Sequence, residues 1–391
     1  MLAELVSGAS PDNSVLLRLI GRNKSGELIS RRLRSSPSGP ISSPNLFLPL
    51  RVKRPLVAEL RVLYDDLKLD GVRVSRPSKF MFLCGGYIAK DQDAKPVNLR
   101  DYLFRVRQIA NRYNIVLAEK ATQLFRDSEY SDLISFEEDI ARIAAVVLVI
   151  AESPGSLAEL GAFTANDTIR NALRVVIQQQ HEMAESFVRY GPIERIKKAK
   201  RANLAVYPWR VHANGTLNIS STKPHYRQIV KFLDEHVASV PTSTVFTKLG
   251  EAEMFYVIYW IIHLCLAVST TQLREYVRLI FPAATDEVIK NRLYCMQLAG
   301  WIERRSYSNK DYLWALHDVD PFEYEFKPGV TERVSVRRNL TVTAALRKAE
   351  PLPPHIRTEA TGARLAASAR ACCANLWNIS VSALQRSSAS S

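Results

Sequence analysis

The sequence predicts an α/β fold: a parallel sheet flanked by helices, followed by a smaller helical module that ends in a β-hairpin. Three observations carry that prediction. Short apolar runs at 79–84, 115–118, 145–150 and 174–177 alternate with stretches of helical spacing, the pattern of strands joined by crossover helices. The run Ala145-Val-Val-Leu-Val-Ile150 is apolar at every position, as suits a strand covered on both faces. Two of the runs lead into turn-forming residues, Gly85-Gly86 and Pro154-Gly155, which puts tight loops at the ends of those strands.

Residues 55–68 fit one amphipathic helix, and the strand Lys79-Phe-Met-Phe-Leu-Cys84 follows. Over 97–113, Leu103, Val106, Ile109 and Ala110 share a helical face. Ile115–Ala118 is the second strand. Residues 135–144 read as a helix with Ser135 at the N-cap and Glu138 three residues on. The third strand, 145–150, leads through ESPGS to a helix over 157–173, and Arg174–Ile177 is the fourth strand. Further on, an apolar helix (253–268) precedes STTQLREYVRLI, and PAATDEVIKNRLYCMQLAG has Thr285 as N-cap and Gly300 just past its end. Residues 301–307 and 311–316 flank the polar turn Ser308-Asn-Lys310 as a hairpin. Two short helices and a hairpin predict a winged helix-turn-helix. The domains expected are a flexible basic extension (1–54), an α/β domain (55–240), a winged-helix domain (245–325) and a basic, disordered tail (331–391).

The chain has 391 residues, 47% apolar and 24% charged, as in soluble globular proteins. Lys and Arg number 53 against 39 Asp and Glu, a net charge of +14 and a pI near 9.6. That balance points to an anionic partner, nucleic acid before membrane. Cys84, Cys265, Cys295, Cys372 and Cys373 have no zinc-ligand spacing, so no metal site is expected, and they suit a reducing compartment. MLAELVSGASPDN lacks the basic start and apolar run of a secretory signal. Met254–Val268 is shorter than the roughly 18 residues of a membrane span. A cytoplasmic location, without membrane contact, is expected.

The chemistry concentrates in Glu152-Ser-Pro-Gly-Ser-Leu-Ala-Glu159. Ser156-Leu-Ala-Glu159 matches a capping box, which would make Glu159 structural. Yet the motif follows a central strand, where α/β sheets bind ligands, and Pro154-Gly155 allows close approach to a helix N-terminus. A carboxylate there could attack an anomeric carbon. Gly85, Gly86 and Tyr87 end another strand at the same crevice. Glu119, at the end of the second strand, could bind a ribose hydroxyl.

FLCGG followed by AESPGSLAELGAF resembles the nucleoside 2-deoxyribosyltransferase fold, Rossmann-like in architecture. Taken with Phe187-Val-Arg-Tyr190-Gly-Pro192 and the helix–hairpin module, the set resembles the effector proteins of retrons, bacterial anti-phage systems built around a reverse transcriptase. The resemblance implies that Glu159 is the nucleophile, with Gly85, Gly86, Tyr87, Glu119, Ser153, Pro154, Gly155 and Ser156 around the substrate. Two positions depart from the transferases: Ser153 stands where they keep an aspartate six residues before the nucleophile, and Ala145 where they often keep another. A neutral purine needs a proton to leave, whereas nicotinamide in NAD is already cationic. The departures therefore favour NAD as substrate, with no cofactor.

Function as implied by this resemblance is a toxic effector that cleaves an N-glycosidic bond of NAD or a nucleotide. The partners implied are the retron reverse transcriptase and its multicopy single-stranded DNA–RNA hybrid, which would hold the effector inactive, with higher-order assembly among the states expected. Lys290, Asn291 and Arg292 on the second helix and Arg304, Arg305 and Lys310 on the hairpin could grip phosphates. A second reading makes the α/β domain a non-catalytic nucleotide sensor in a DNA-binding regulator or scaffold. A third is a nucleotide phosphoribohydrolase, although PGSLAE is poorer in Gly and Thr than the usual loop of those enzymes.

Overall fold

The computed structural model describes residues 55–91, 95–105, 109, 113–118, 128–349 and 351–368, and the backbone of 18–22 and 28–32. Residues 1–53 and 54–391 form separate compact units. In the first, Arg18–Arg22 (β1) pairs antiparallel with Leu28–Arg32 (β2). The basic extension, expected to be flexible, thus contains a hairpin.

The second unit opens with the helix Pro55–Asp65 (α1) and the strand Arg73–Ser75 (β3). The α/β block follows: Met81–Cys84 (β4), Leu99–Arg105 (α2), Ile115–Leu117 (β5), Leu133–Ile143 (α3), Val146–Ala151 (β6), Pro154–Ala165 (α4), Asp167–Ala172 (α5), Leu173–Gln178 (β7), Glu194–Lys200 (α6) and Leu204–Tyr207 (β8). The five long-range strands are all parallel, in the order β5-β4-β6-β7-β8. Connections therefore run one way from β4 and the other way from β6. The crevice between the carboxyl ends of β4 and β6 is the topological switch point where such sheets bind ligands.

Several boundaries differ from the sequence reading for local reasons. The N-cap of α3 is Asp132, whose carboxylate accepts the Ser135 N–H at 2.8 Å; Ser135 lies inside the helix. Pro154 fixes the first helical position, so α4 starts before Leu157 and is capped by Ser153. The helix expected over 157–173 is two helices, broken at Asn166. The strand Leu204–Tyr207 lacked a signal because it is four residues long and followed by Pro208.

Tyr226–Ala238 (α7) completes the block, and Ser243–Val245 (β9) leads out of it. Then come Glu253–Cys265 (α8), Val268–Ser269 (β10), Thr270–Ile280 (α9), Asp286–Leu298 (α10), Ile302–Tyr307 (β11), Lys310–Ala315 (β12) and Phe322–Glu323 (β13). The caps are those expected: Ser269 on α9, Thr285 on α10, and Gly300 at φ +67° past the end of α10. β11 and β12 form an antiparallel hairpin across Ser308-Asn309, both at positive φ, and β10 pairs with β12. Strands β13, β3 and β9 make a third small sheet that joins distant parts of the chain.

The tail expected to be disordered is helical over much of its length. Glu332–Ala349 (α11) packs along α1 and α8, with Val342 and Leu346 buried. A further helix over 354–368 (α12) buries Ile356 and Ala360 against Tyr312 and Trp314.

One apolar face of the parallel sheet carries α2 and α7. The other carries α3 and α4, and its core continues without a gap into α8, α9 and α10. The apolar run 254–265 is a buried helix in that shared core, with His263 stacked on Tyr259 at 6.3 Å. No helix among the described residues is long and apolar enough to cross a membrane.

Candidate active site

The switch point is built by backbone before side chains. Ala151 ends β6, and the chain turns through Glu152-Ser153 into α4. Ser156, fully buried, takes the Glu152 and Ser153 N–H groups on its Oγ at 3.0 and 2.9 Å. Ser153 Oγ accepts the Ser156 N–H at 3.2 Å, so the capping box is Ser153 with Ser156. The box expected between Ser156 and Glu159 is not formed. Ser156 is spent inside the turn and is closed to a substrate, whereas Pro154 and Gly155 are exposed and a Cβ at Gly155 would meet nothing within 4 Å.

Glu159 is therefore released from capping. It sits one turn further along α4, half-buried, with Oε2 shut off from solvent. It faces Glu137, from the second turn of α3, closely enough for the two carboxylates to repel. Burial first, and Glu159 second, push the Glu137 carboxyl up to about 8; Arg100 pulls it back. Both helices start at the carboxyl edge of the sheet and lie on the same face of it.

Arg100 crosses the end of the sheet. It is 1% exposed and donates to the carbonyls of Leu83 at 2.6 Å and Gly86 at 3.0 Å. Glu152 secures the helix that carries it, accepting the N–H groups of Gly86, Leu99 and Arg100 at 3.3, 2.8 and 2.9 Å. Those donors hold the charged form, while burial, the larger effect, pushes the Glu152 carboxyl up to about 7. Asp101, fully buried, grips Arg105 through both carboxylate oxygens at 2.7 and 2.8 Å.

The glycine loop after β4 is filled by the protein itself. A Cβ on Gly85 would stand 2.8 Å from Arg100 Cδ, and one on Gly86 2.6 Å from Asn98 Nδ2. These glycines admit Arg100, Asn98 and Glu152 rather than leaving a cradle for a ligand. Tyr87 is 61% exposed at the rim. Glu119 lies outside the described residues. Tyr190-Gly-Pro192, read as a turn, is a π turn that leads into α6, and it leaves Phe187 and Tyr190 exposed.

Three contributors went unread in the sequence: Arg100, Glu137 and Glu152. Arg100 left a trace, a charge three residues before Leu103 on the helix's apolar face. Glu152 and Glu137 left none, because what they contact lies on other segments.

The residues expected to bind nucleic acid divide. Asn291 is buried and accepts the Glu129 N–H at 2.8 Å. Arg292 is turned inward, paired with Asp139 and stacked 4.6 Å over Phe255. Lys290 pairs with Glu129 at 2.6 Å. From Ile289 to Leu298 no residue of α10 is exposed, so Asn291 and Arg292 cannot reach a phosphate: packing against α3 has consumed that face. On the hairpin, Arg304 pairs with Asp311, Arg305 is exposed with Glu303 and Glu359 3.6 Å away, and Lys310 is exposed.

A family model described as "STM3845 retron effector protein" matches residues 96–304, which include the sheet, the carboxylate cluster and the hairpin's first strand. The chain belongs to this family of retron effectors. It is 30% identical over 118 residues to the Escherichia coli "Retron Ec86 putative ribosyltransferase/DNA-binding protein", covering 30% of this chain and 37% of that one. The protein of the same description from retron Ec73 of Escherichia coli matches at 30% over 122 residues, 38% of its length. The aligned region thus spans less than two fifths of these relatives.

Proposed function

We propose that this retron effector is a toxic N-glycosidase whose nucleophile is Glu159, acting on NAD or a nucleotide. The observation that carries the reading is the placement of Glu159: on the helix after the third strand, beside the switch point, released from capping by the Ser153–Ser156 box. A carboxylate there can add to C1′ as the glycosidic bond lengthens, and water then hydrolyses the ribosyl-enzyme. Ribosyl transfer is the chemistry named for the Ec86 and Ec73 relatives.

We read α8, β10, α9, α10 and the β11–β12 hairpin as a winged helix. With α10 buried against α3, nucleic-acid contact falls to the hairpin, through Arg305 and Lys310. The partners in this reading are the retron's reverse transcriptase and its DNA–RNA hybrid, which hold the effector silent until infection.

The test is to incubate the purified full chain, free of reverse transcriptase, with NAD or AMP and to measure nicotinamide or adenine. Release by the wild type and loss of at least about 100-fold in Glu159→Gln is the expected result. Absence of release, or equal release by the variant, sinks the reading. A non-catalytic sensor would bind these ligands unchanged.

A further inference from the structure

Two carboxylates and one guanidinium meet at the switch point, and only Glu159 has been given work. Ser153, next to it in the loop, is held in the helix cap and its hydroxyl is no acid near neutral pH. Glu152 is held by three backbone N–H groups. Glu137 remains: it projects from the second turn of α3 toward Glu159, over the sheet edge that Arg100 crosses.

The groups around Glu137 separate into two sets. Toward the site are Glu159 from α4 and Arg100 from α2. On the other flank of α3, Glu138, Asp139 and Arg142 are tied to Arg292 of α10 and to Glu251. On α5, Asp167 and Arg170 pair with one another. The cation nearest Glu137 is thus Arg100, already bound to two carbonyls.

We propose that Glu137 is the proton donor to the departing base. The inference rests on the N-glycosidase reading and extends its substrate class to nucleotides with neutral bases. Glu159 forms a bond from its carboxylate oxygen to C1′ while the C1′–N bond breaks and its electron pair goes to the base. The Glu137 proton passes to that base. Water then adds to C1′, the C1′–O bond to Glu159 breaks with its pair returning to the carboxylate, and the water's spare proton returns to Glu137. Two neighbouring carboxyls that hold one proton between them can fill both roles, because the neutral one donates while the charged one attacks. The burial and repulsion that lift the Glu137 carboxyl keep that proton in place near neutral pH.

The test compares leaving groups in the full chain. NAD loses a nicotinamide that needs no proton; AMP loses an adenine that does. In Glu137→Gln, adenine release is expected to fall by about 100-fold or more, with nicotinamide release changed by less than about 3-fold. The alkaline limb of the AMP pH profile should disappear with it. A merely structural role would lower both reactions together and leave the profile's shape, which overturns the proposal. Wild type that releases nicotinamide but no adenine overturns it too. Infrared spectroscopy reads the proton without any turnover: a protonated carboxyl present near pH 7 in wild type, absent in Glu137→Gln, is expected. If no such signal exists, Glu137 is no donor, whatever Glu159 does. If the signal is present and neither base is released, the N-glycosidase reading has failed and the donor role falls with it, which a missing signal alone would not show.

Discussion

At the residue scale, the site is a balance of burial against charge. Glu137 carries its proton because desolvation and the Glu159 carboxylate both disfavour ionisation, more strongly than Arg100 favours it. That raised value has a consequence for stability. Between an unfolded carboxyl near 4.5 and the folded one near 8, the folded chain binds the extra proton. Its contribution is complete below the unfolded value and is lost as pH rises through about 8. Glu137→Gln removes this slope, so the wild type's stability relative to the variant should fall on the order of 3–5 kcal/mol between about pH 5 and about pH 9. Denaturant unfolding at the two pH values checks it; a parallel loss in both proteins would refute it.

At the scale of elements, the decisive contact is helix α3 against helix α10. Phe136 meets Tyr294 edge-on at 5.9 Å, and Tyr130 donates to Asp139 at 2.5 Å beside Cys295. Arg292 enters this buried set and pairs with Asp139. Arg292→Ala leaves Asp139 with Arg142 as its remaining charged partner and should cost on the order of 3 kcal/mol in stability. Arg305→Ala, on the exposed hairpin, should leave the melting temperature within about a degree and lower affinity for single-stranded DNA at low salt instead. Thermal melts paired with DNA titrations of the two variants separate these roles. A destabilised Arg305→Ala, or an Arg292→Ala that only weakens DNA binding, would reverse the assignment. The same helix, α3, carries Glu137 toward the site and Asp139 toward α10, so the carboxylate cluster and the helical module share one rigid element.

At the scale of the whole molecule, one core runs from the parallel sheet through α8 to α1 and α11. The C-terminal helices close it: Val342 and Leu346 lie in that core, and Leu352 and Ile356 cover Tyr312 and Trp314. Each buried aliphatic contributes about 1.5–3 kcal/mol. Ending the chain at residue 330 should therefore yield an insoluble or sharply less thermostable protein, measured by soluble yield and thermal melting. A truncated chain as stable as the full one would show the helices to be dispensable.

Local sequence determined much of this protein. Strands at 81–84, 146–151 and 173–178 were legible because each is an apolar run bounded by turns or helical spacing. The caps Ser269 and Thr285 and the Gly300 stop were legible because capping is a matter of neighbouring residues. Glu159 was legible through its motif. The four-residue strand β8 was not, having too few positions for any period to register. Nor was the order of the tail, whose helices draw their stability from α1, α8 and the hairpin rather than from their own composition. The sequence by itself determined which segments form strands and helices, and which acid follows the third strand. Only the tertiary structure decided that Glu137 and Arg100 stand around that acid, that Gly85 and Gly86 make room for protein side chains, and that Asn291 and Arg292 face inward. Those outcomes depend on burial and on charges far apart in the chain, and no local pattern records either.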